Sequence, residues 1–465
     1  MRASELTFPL ALLLAACSAT GNEARDAAPP TDGAPADGAP ADVAPRADGA
    51  PPPFTPPAGP LFPWAGEATD SACDNGVDDD GNGYADCKDF GCSRNLAVTV
   101  CGSQAVYESS PAACANGVDD DRDGLVDCAD PDCLKNPYHD ICPKAGHEQD
   151  CEGASDTDGD GHAGCDDLDC LLTTDLCPTT RHRVLFDQTL DETSGLGPNS
   201  DWVVDGVMPL PSPSNPSAPD DWAGALSGFA FALVDGGQFL VETLPSYDGR
   251  LSYGDAANPR DLSHYGVLVL VEPSRAITAA ESAAIVDFVR AGGGLLMVAN
   301  HLGADRDGNG VASPQAFNQL FDQTGQTGQT GQTGGDPFGF RFDELDYDTP
   351  HPITHRGDTT HPVLSGPAGT VTQIGFFQGC TAHMTGTNPS ATGLLMTDDA
   401  PDDTSHLVAL AAEVGAGRVV ALTDSAILSD GTDSHGVRNP THDAFDSATQ
   451  QNRTLLMNAM GWLGR

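Results

Sequence analysis

Twelve of the fourteen cysteines fall into three consecutive units, and this repeat is the feature that most constrains how the chain can fold. The intervals within a unit are 14, 5 and 9 residues in the first two units and 14, 5 and 7 in the third. The units contain Cys73, Cys87, Cys92 and Cys101, then Cys114, Cys128, Cys133 and Cys142, then Cys151, Cys165, Cys170 and Cys177. Two disulfides per unit are expected, and each unit has three possible pairings. Zinc is the alternative, but the units contain no CxxC pair.

Each unit carries an acidic loop that begins between its first two cysteines and ends after the second. Counted from the first Asp of the loop, oxygen-bearing side chains stand at positions 1, 3, 5, 9 and 12, and a glycine stands at position 6. This is the spacing of a twelve-residue calcium loop, in which position 7 contributes a backbone carbonyl. The predicted ligands are Asp78, Asp80, Asn82, Tyr84, Asp86 and Asp89; Asp119, Asp121, Asp123, Leu125, Asp127 and Asp130; and Asp156, Asp158, Asp160, His162 and Asp167. The cofactor expected from these loops is therefore Ca²⁺.

Two departures separate these loops from an EF-hand. Position 12 is Asp instead of Glu, which shortens the reach of a bidentate carboxylate, and Gly164 occupies position 9 of the third loop. No helical periodicity flanks the loops. The units instead resemble the short calcium repeats of thrombospondin type 3 and related surface modules. Because they have few large apolar residues, we expect the ion to have a structural role. The competing interpretation is an acidic disulfide scaffold that binds no ion.

The N-terminus has the pattern of an exported protein. The apolar stretch from residue 6 to residue 16 has eleven residues, fewer than the ~20 that a membrane-spanning helix needs. It ends in Leu14-Ala15-Ala16-Cys17, which resembles a bacterial lipobox. The resemblance implies lipidation of Cys17 and, because Ser18 follows, a lipid anchor in the outer membrane of the cell envelope. The alternative is an ordinary secretory signal with a chance cysteine.

Composition divides the rest of the chain and excludes one class of partner. Residues 18–65 are rich in Pro, Ala, Asp and Gly and predict a disordered tether. The domains expected are thus 1–17 signal peptide, 18–65 tether, 66–180 cysteine-rich repeats and 181–465 a globular domain. Asp and Glu number 68 against 21 Lys and Arg, for a net charge of -47. This excess of negative charge argues against nucleic acid as a partner.

From residue 181 onward, apolar β runs alternate with helical patterns, which predicts an α/β domain with a doubly wound, mostly parallel sheet. Predicted strands are 184–187, 239–244, 265–272, 295–299 and 417–423. Predicted helices are 222–234, a helix capped by Thr278 and Glu281 that stops at the glycines from 292 to 294, and 452–463.

One stretch of this domain resembles class I glutamine amidotransferase-like domains, including trehalose-utilisation-type relatives. It consists of a strand, Glu272-Pro273, a capped helix ending in DFVRAGGG, a second strand and Asn300-His301. In that superfamily a nucleophilic cysteine stands at the sharp turn after the strand that follows the glycines. Here the corresponding residues are Asn300, His301, Leu302 and Gly303, and the spare thiol, Cys380, lies elsewhere. The resemblance therefore implies the fold without glutaminase activity.

Polar residues follow the predicted strands, where open α/β sheets bind ligands. They are Asp187, Glu272, Asn300 with His301, and Asp424 with Ser425. We expect Asp187, His301 and Asp424 to line one cleft. The loop Asp305-x-Asp307-x-Asn309-Gly310 is half a calcium loop and predicts a cation site at the rim of that cleft. Ser425, Asp430 and His435 could form a hydrolase triad, although no G-x-S-x-G turn supports one.

Two functions fit these observations. In the first, the α/β domain of an envelope protein binds an extracellular ligand without turnover. In the second, Asp187, His301, Asp305 and Asp424 surround one cation in a metal-assisted hydrolase of an extracellular substrate.

Overall fold

The computed structural model describes the third cysteine repeat, the α/β domain and short parts of the first two repeats. The described residues are 69–77, 100, 113–118, 126–129, 148–190, 202–205, 211, 214–244, 251–305, 310–324, 336–348, 352–432 and 438–465, without 149, 154, 158, 160, 174–175, 256–257, 259, 400 and 403. For 113, 173, 323–324 and 438–443 only the backbone is described. The predicted signal peptide with Cys17 and the predicted tether lie outside the described residues.

Helices and strands of the described chain alternate along the α/β domain. The helices are α1 Leu168–Thr173, α2 Ser227–Asp235, α3 Ala279–Ala291, α4 Ser313–Thr324 and α5 Asn452–Leu463. The strands are β1 His182–Asp187, β2 Phe239–Leu244, β3 Val267–Val271, β4 Gly294–Val298, β5 Phe340–Phe342, β6 Tyr347–Asp348, β7 His355–Arg356, β8 Ser365–Gly366, β9 Gly369–Thr370, β10 Gln378–Gly379, β11 Ala382–Met384, β12 Thr392–Met396, β13 Leu407–Val414, β14 Gly417–Leu422, β15 Asp430–Thr432 and β16 Arg438–Asp443.

A ten-stranded sheet forms the centre of the domain, and half of it is parallel. Its order is β2-β1-β3-β4-β14-β13-β11-β5; off this path, β12 pairs with β13 and β7 pairs with β12. The first five strands of this order run parallel to one another. Parallel strands deliver their carboxyl ends to one edge of a sheet. The ends of β1, β3, β4 and β14 therefore lie along a single edge, which we call the carboxyl edge.

Apolar side chains cover both faces of the sheet, as a parallel sheet requires. Helices α2 and α5 pack on one face and helices α3 and α4 on the other. The run Val267–Val271 is buried throughout because it occupies the middle of the parallel half. The doubly wound arrangement predicted from the alternating pattern is thus present, as a mixed α/β fold.

Helix α3 begins and ends where the sequence predicts. The side chain of Thr278 accepts a hydrogen bond from the backbone amide of Glu281, and the Glu281 carboxylate accepts one from the Thr278 amide. Arg275 forms an ion pair with Glu281 at 2.7 Å. Burial opposes ionisation of Glu281, but Arg275 and Thr278 outweigh it, so the pKa of this carboxyl is lowered. Gly292 ends the helix.

An antiparallel extension, not predicted from the sequence, continues the sheet beyond β14. Strand β13 pairs antiparallel with β14 from Ala409–Leu422 to Val414–Gly417, and β12 and β11 also pair antiparallel with β13. The turn between β13 and β14 contains Gly415 at a φ of 63°. A side chain there would lie 2.6 Å from the carbonyl oxygen of Arg290, so glycine is required by both the backbone and the available space.

The third cysteine repeat packs against the α/β domain at β2, the edge strand of the sheet. Leu168 and Leu172 of α1 form an apolar cluster with Leu240 of β2. All six residues of β2 are buried despite the edge position of the strand. Covering an edge strand hides its unpaired backbone groups from other chains. The third repeat is therefore packed onto the globular domain.

Most predicted elements of the α/β domain agree with the structure within two residues, but the helix predicted over 222–234 begins later, at Ser227. The backbone of residues 222–226 forms a loop because the Leu226 amide donates to the Val203 carbonyl at 3.0 Å. Gly224 lies so close to the same carbonyl that a β-carbon would be 2.2 Å from its oxygen. This tertiary contact excludes the first turn of the predicted helix.

Candidate functional site

Glu272 follows β3 directly and has a backbone conformation rare for a residue with a side chain. Its φ is 52° and its side chain is fully buried. The sharp turn at the carboxyl edge therefore falls at Glu272, one strand away from the position around Asn300 that the resemblance implied. Such conformations cost on the order of 1–3 kcal/mol and persist where the surroundings fix them. The surroundings here are a hydrogen-bonded cluster.

The Glu272 carboxylate joins three strand ends. Its Oε2 atom accepts hydrogen bonds from Nδ2 of Asn300 at 2.9 Å and from the hydroxyl of Ser425 at 2.6 Å. Asn300 follows β4 and Ser425 follows β14, and both side chains are buried. The backbone amide of Asn300 donates in turn to the Ser313 hydroxyl at 2.8 Å. We call Glu272, Asn300 and Ser425 the inner cluster.

Asp424 lies beside the inner cluster and is also fully buried. One carboxylate oxygen accepts from the Ala426 amide at 2.9 Å and the other from the Phe377 amide at 2.6 Å. Burial raises the pKa of Asp424 to about 7. The two backbone amides oppose this shift, and the nearby negative charge of Glu272 adds to it.

His301 and Asp346 form a partly accessible pair at the same edge, which we call the outer pair; the His301 side chain is 16% exposed and that of Asp346 is 55% exposed. Nδ1 of His301 lies 3.1 Å from Oδ1 of Asp346, and the Gly303 amide donates to the same oxygen at 2.7 Å. The hydrogen bond from Gly303, together with His301, lowers the pKa of Asp346 despite slight burial. Because an ionised carboxylate only accepts, Nδ1 must donate, and Nε2 remains for a ligand or a proton.

Gly303 makes this close approach possible. A β-carbon at this position would lie 3.2 Å from Nδ1 of His301 and 3.3 Å from Oδ1 of Asp346. Asn300 supports the pair from inside, since its Oδ1 accepts the His301 backbone amide at 2.8 Å. The outer pair is thus connected to the inner cluster through a single residue.

The three residues predicted to share a cleft have different partners. Asp187 is buried and accepts from the Thr189 hydroxyl at 2.8 Å. His301 faces Asp346, and Asp424 accepts from backbone amides. Their joint action on one ligand stays a prediction. The direct contacts at this edge belong to Glu272, Asn300 and Ser425, which the sequence also identified as residues at strand ends.

A second imidazole–carboxylate pair lies further along the edge. Nδ1 of His383 is 2.6 Å from Oδ1 of Asp343, whose Oδ2 accepts from the Thr381 hydroxyl at 2.6 Å. Asp343 and Asp346 sit on the segment that follows β5, and neither was identified from the sequence. Their roles depend on β5 pairing with β11, a nonlocal contact that leaves no local pattern.

Cys380, the only free thiol among the described residues, is not placed to act as a nucleophile. It is completely buried, and burial, with Asp343 and Asp424 adding negative charge nearby, raises the pKa of its thiol. Nucleophilic cysteines need the opposite, a partly exposed and electropositive environment.

The Ser425–Asp430–His435 hydrolase triad has no support in the contacts of the described residues. The Ser425 hydroxyl donates to Glu272. Asp430 accepts from the hydroxyl of Ser227 and the amide of Gly228 at the start of α2. His435 lies outside the described residues. Ser425 and Asp430 therefore have different partners, and a triad with His435 stays a prediction.

The predicted cation loop after His301 is described at its two ends. Oδ2 of Asp305 accepts from the Gly310 amide at 2.8 Å, which closes the loop. Oδ1 of Asp305 is buried and has no hydrogen-bond partner among the residues that the structure describes. A carboxylate oxygen in that state fits a cation site, because a bound ion would satisfy it. Asp307 and Asn309 lie outside the described residues.

The third repeat has two disulfides, Cys151–Cys170 and Cys165–Cys177. The first cysteine therefore pairs with the third and the second with the fourth, one of the three pairings that the sequence left open. Cys73, Cys114 and Cys128 are disulfide-bonded as well. Disulfide bonding, and not zinc, accounts for these cysteines.

The described ligand positions of the calcium loops already make contacts within the protein. Asp156, at position 1 of the third loop, accepts from the amides of Gly159 at 2.6 Å and Gly161 at 3.1 Å. Asp167, at position 12, accepts from the Asp169 amide at 2.7 Å. Asp127 of the second loop accepts from the Gly117 amide with both oxygens, and His162 is exposed.

The remaining predicted calcium ligands lie outside the described residues. They are Asp78, Asp80, Asn82, Tyr84, Asp86, Asp89, Asp119, Asp121, Asp123, Leu125, Asp130, Asp158 and Asp160. Within the described part of the chain, no group of three or more His, Cys, Asp or Glu side chains is arranged to hold a metal ion. Across those same residues, no helix combines the length and apolar character needed to cross a bilayer.

Comparisons with known proteins return structural likeness alone. No protein-family model and no curated protein matches the chain. Similar solved structures include the mmIFT52 N-terminal domain, with a TM-score of 0.38 and 13% identity over 61% of this chain and 97% of that one. A thua-like protein from Bacteroides uniformis has a TM-score of 0.33 and 15% identity, covering 63% of this chain and 94% of its own.

A thua-like protein from Parabacteroides merdae is similar to the same extent, with a TM-score of 0.33 and 12% identity over 61% of this chain and 90% of that one. At these identities the likeness concerns the fold alone and gives no information about a ligand or a reaction.

Proposed function

We propose that this chain is a lipid-anchored protein of the bacterial cell envelope, attached to the outer membrane through Cys17. Its calcium-binding, disulfide-linked repeats present an α/β domain of the class I glutamine amidotransferase-like type, which binds an extracellular ligand without glutaminase activity. The observation that carries the proposal is the contrast between a buried, unreactive Cys380 and the partly accessible His301–Asp346 pair at the carboxyl edge.

The ligand site of this proposal is the outer pair. Asp346 holds Nδ1 of His301 and leaves Nε2 as the group that contacts the ligand. Asn300 fixes the His301 backbone, and the sealed inner cluster fixes Asn300. A site supported in this way has its geometry set before a ligand arrives, which reduces the ordering cost of binding.

His301→Ala tests the site, and His355→Ala is its matched control. His355 also faces an aspartate, Asp398, at 3.7 Å, but it lies on β7 and its side chain is half exposed. A thermal-shift screen of the mature chain against envelope saccharides and peptides is expected to give a ligand whose stabilising effect is lost in His301→Ala and kept in His355→Ala. Equal loss in both variants would contradict the assignment of the outer pair.

The metal-assisted hydrolase is retained as a second candidate because of Asp305, whose buried Oδ1 suits a cation. Asp187, His301 and Asp424 would then act with Asp305, Asp307 and Asn309 around that ion. A turnover screen with esters, glycosides, phosphodiesters and glutamine, with added divalent metals, separates the two candidates. Metal-dependent turnover that His301→Ala abolishes would replace the binding function by this one.

The calcium part of the proposal rests on the loop spacing and on the contacts of Asp156. Its carboxylate is held at the start of the third loop by the amides of Gly159 and Gly161, as the first ligand of a calcium loop should be. When bound, calcium would neutralise the clustered carboxylates and stabilise repeats with few apolar residues. Calorimetry of the full mature chain is expected to detect about three sites, one for each loop.

Asp156→Ala is expected to remove one of these sites. Asp166→Ala is the control, because Asp166 is exposed and occupies position 11 of the same loop, which is not a ligand position. Loss of a site in both variants, or in neither, would contradict the ligand assignment for the third loop.

The anchor is tested by Cys17→Ser. The variant precursor is expected to stay unprocessed and to lose the mass of the lipid. An unchanged mass and unchanged recovery in the membrane fraction would contradict lipidation at this position.

A further inference from the structure

The short segment after β5 holds two histidines through two aspartates. Nδ1 of His301 lies 3.1 Å from Oδ1 of Asp346, and Nδ1 of His383 lies 2.6 Å from Oδ1 of Asp343. The aspartates are three residue steps apart, which places their α-carbons at most about 11 Å from each other. The amide of Leu345 donates to the Asp343 carbonyl at 2.9 Å, and this turn shortens the separation further. Both imidazoles are therefore held by one small part of the carboxyl edge.

His383 and Asp343, which we call the second pair, repeat the hydrogen-bond arrangement of the outer pair. The Thr381 hydroxyl donates to Oδ2 of Asp343 at 2.6 Å and fixes this carboxylate. Because an ionised carboxylate only accepts, Nδ1 of His383 carries the proton and Nε2 keeps its lone pair. Nε2 of His383 has no hydrogen-bond partner among the described residues, and the side chain is 43% exposed. His383 thus offers a ligand the same acceptor that His301 offers.

Other histidines of the α/β domain are arranged differently. Nδ1 of His355 is 3.7 Å from Oδ1 of Asp398, which is too long for a hydrogen bond. Nδ1 of His361 accepts from the backbone amide of Val363 at 3.2 Å, so this ring presents no Nδ1–H to a carboxylate. The shared arrangement of His301 and His383 is therefore a property of the segment that holds them.

An exposed apolar side chain lies between the two aspartates. Leu345 is 38% exposed, a value that Tyr253 alone matches among the large apolar side chains of the described α/β domain. The Leu345 carbonyl accepts from the Leu302 amide at 3.2 Å, which ties the segment to the loop after His301. An apolar surface flanked by two acceptors fits a molecule with an apolar face and hydroxyl donors at its rim.

The charge of the segment selects against an anionic ligand. Residues 343–346 read Asp-Glu-Leu-Asp and include no cationic side chain. The guanidinium of Arg341, on β5, is paired with Asp322 on α4. A carboxylate or phosphate would approach these negative charges and would bring no proton to donate to either Nε2 atom. A neutral polyhydroxylated ligand avoids both penalties.

We propose that the strand-end site binds a neutral saccharide through two imidazoles: Nε2 of His301 and Nε2 of His383 each accept a hydrogen bond from a hydroxyl, and the C–H face of a sugar ring packs on Leu345. Asp346 and Asp343 are the positioning residues of the two imidazoles. The contact made by His301 rests on the proposed function. The roles of His383 and Leu345 and the class of ligand go beyond it and can fail separately.

Imidazole ¹⁵N spectra of the full mature chain, labelled at histidine, test the ligand class. The probes are neutral disaccharides of gluco, galacto and manno configuration, the matching uronic-acid disaccharides as anionic controls, and a lysine-containing peptide. At least one neutral disaccharide is expected to shift the Nε2 signals of His301 and His383 with one common dissociation constant, while the signals of His355 stay in place. The other probes are expected to leave both Nε2 signals unchanged.

His383→Ala tests the second imidazole, and His355→Ala is its matched control. Both side chains are about half exposed, lie on strands of the same sheet and face an aspartate. Loss of one hydrogen bond is expected to weaken disaccharide binding about tenfold in His383→Ala and to leave His355→Ala like the wild type. Asp343→Asn is expected to move the His383 proton toward Nε2 in the ligand-free chain, which a purely structural role of Asp343 would not do.

Each failure has a different meaning. Disaccharide binding that requires His301 but is unchanged in both His383→Ala and Leu345→Ser would overturn the two-imidazole site and leave the proposed function standing. Binding of the uronic-acid or peptide probe in place of the neutral ones, or no response to any neutral disaccharide at millimolar concentration, would overturn the saccharide class. Binding that does not depend on His301 would contradict the proposed function itself.

Discussion

The inner cluster and the outer pair lie at the same edge of one sheet, yet their surroundings are opposite. Glu272, Asn300 and Ser425 are buried and use their polar groups on one another. His301 and Asp346 remain partly accessible, and Nε2 of His301 is left over. Polar residues at strand ends therefore divide into a layer that fixes the edge and a layer that faces the ligand.

This difference has an energetic consequence. Removing one member of a buried hydrogen-bonded set leaves its partners unpaired away from water, which costs far more than the bond contributes. Removing one member of an accessible pair returns the other to solvent at little cost. Substitutions in the inner cluster should therefore reduce stability, and substitutions in the outer pair should reduce binding.

Glu272→Ala is expected to have the largest effect. It leaves the Asn300 amide and the Ser425 hydroxyl without their acceptor in a buried site, so the free energy of unfolding should fall by about 2–5 kcal/mol. Chemical denaturation measures the change. Glu272→Gln keeps an acceptor oxygen and should lose less. A loss below about 1 kcal/mol in Glu272→Ala would show that this cluster does not fix the edge.

Ser425→Ala should have an intermediate effect. It removes one of the two donors to Glu272 and leaves the Asn300 bond in place. The expected loss is about 1–2 kcal/mol in the free energy of unfolding, since a buried hydrogen bond is removed and its acceptor loses one of two donors. If Ser425→Ala leaves the free energy of unfolding unchanged while Glu272→Ala lowers it strongly, the loss in Glu272→Ala comes from the Asn300 hydrogen bond alone.

His301→Ala should change stability by less than about 1 kcal/mol, because its side chain pairs with an aspartate that is more than half exposed. The same variant is expected to abolish ligand binding. A large loss of stability in thermal unfolding would place His301 with the inner cluster and remove the distinction between the two layers.

The sequence predicted the parallel half of the fold well, because its signals are local. The apolar run before Glu272, the capping box of Thr278 and Glu281, and the glycines after Ala291 each specify a strand, a start or a stop. Strand β13 was not predicted because its alanine-rich run, from Leu407 to Val414, has no period that separates a strand from a helix.

The candidate site could be predicted in part for the same reason. Residues that follow parallel strands must meet at one edge, and Glu272, Asn300 and Ser425 do so. Burial could not be inferred in this way, since Asp424 and His301 both follow an apolar run but differ in exposure. Asp346 reaches His301 only because β5 pairs with β11, a long-range contact.

The most direct test of the two-layer account is the tautomer of His301. Imidazole ¹⁵N spectra of the full chain at about pH 8.5, where histidine is normally neutral, report which ring nitrogen carries the proton. The account predicts Nδ1–H, held by Asp346, with Nε2 as an acceptor open to solvent, and a return toward the Nε2–H form in Asp346→Asn with a stability change within about 0.5 kcal/mol. An Nε2–H tautomer in the wild type, unchanged in Asp346→Asn, would contradict it.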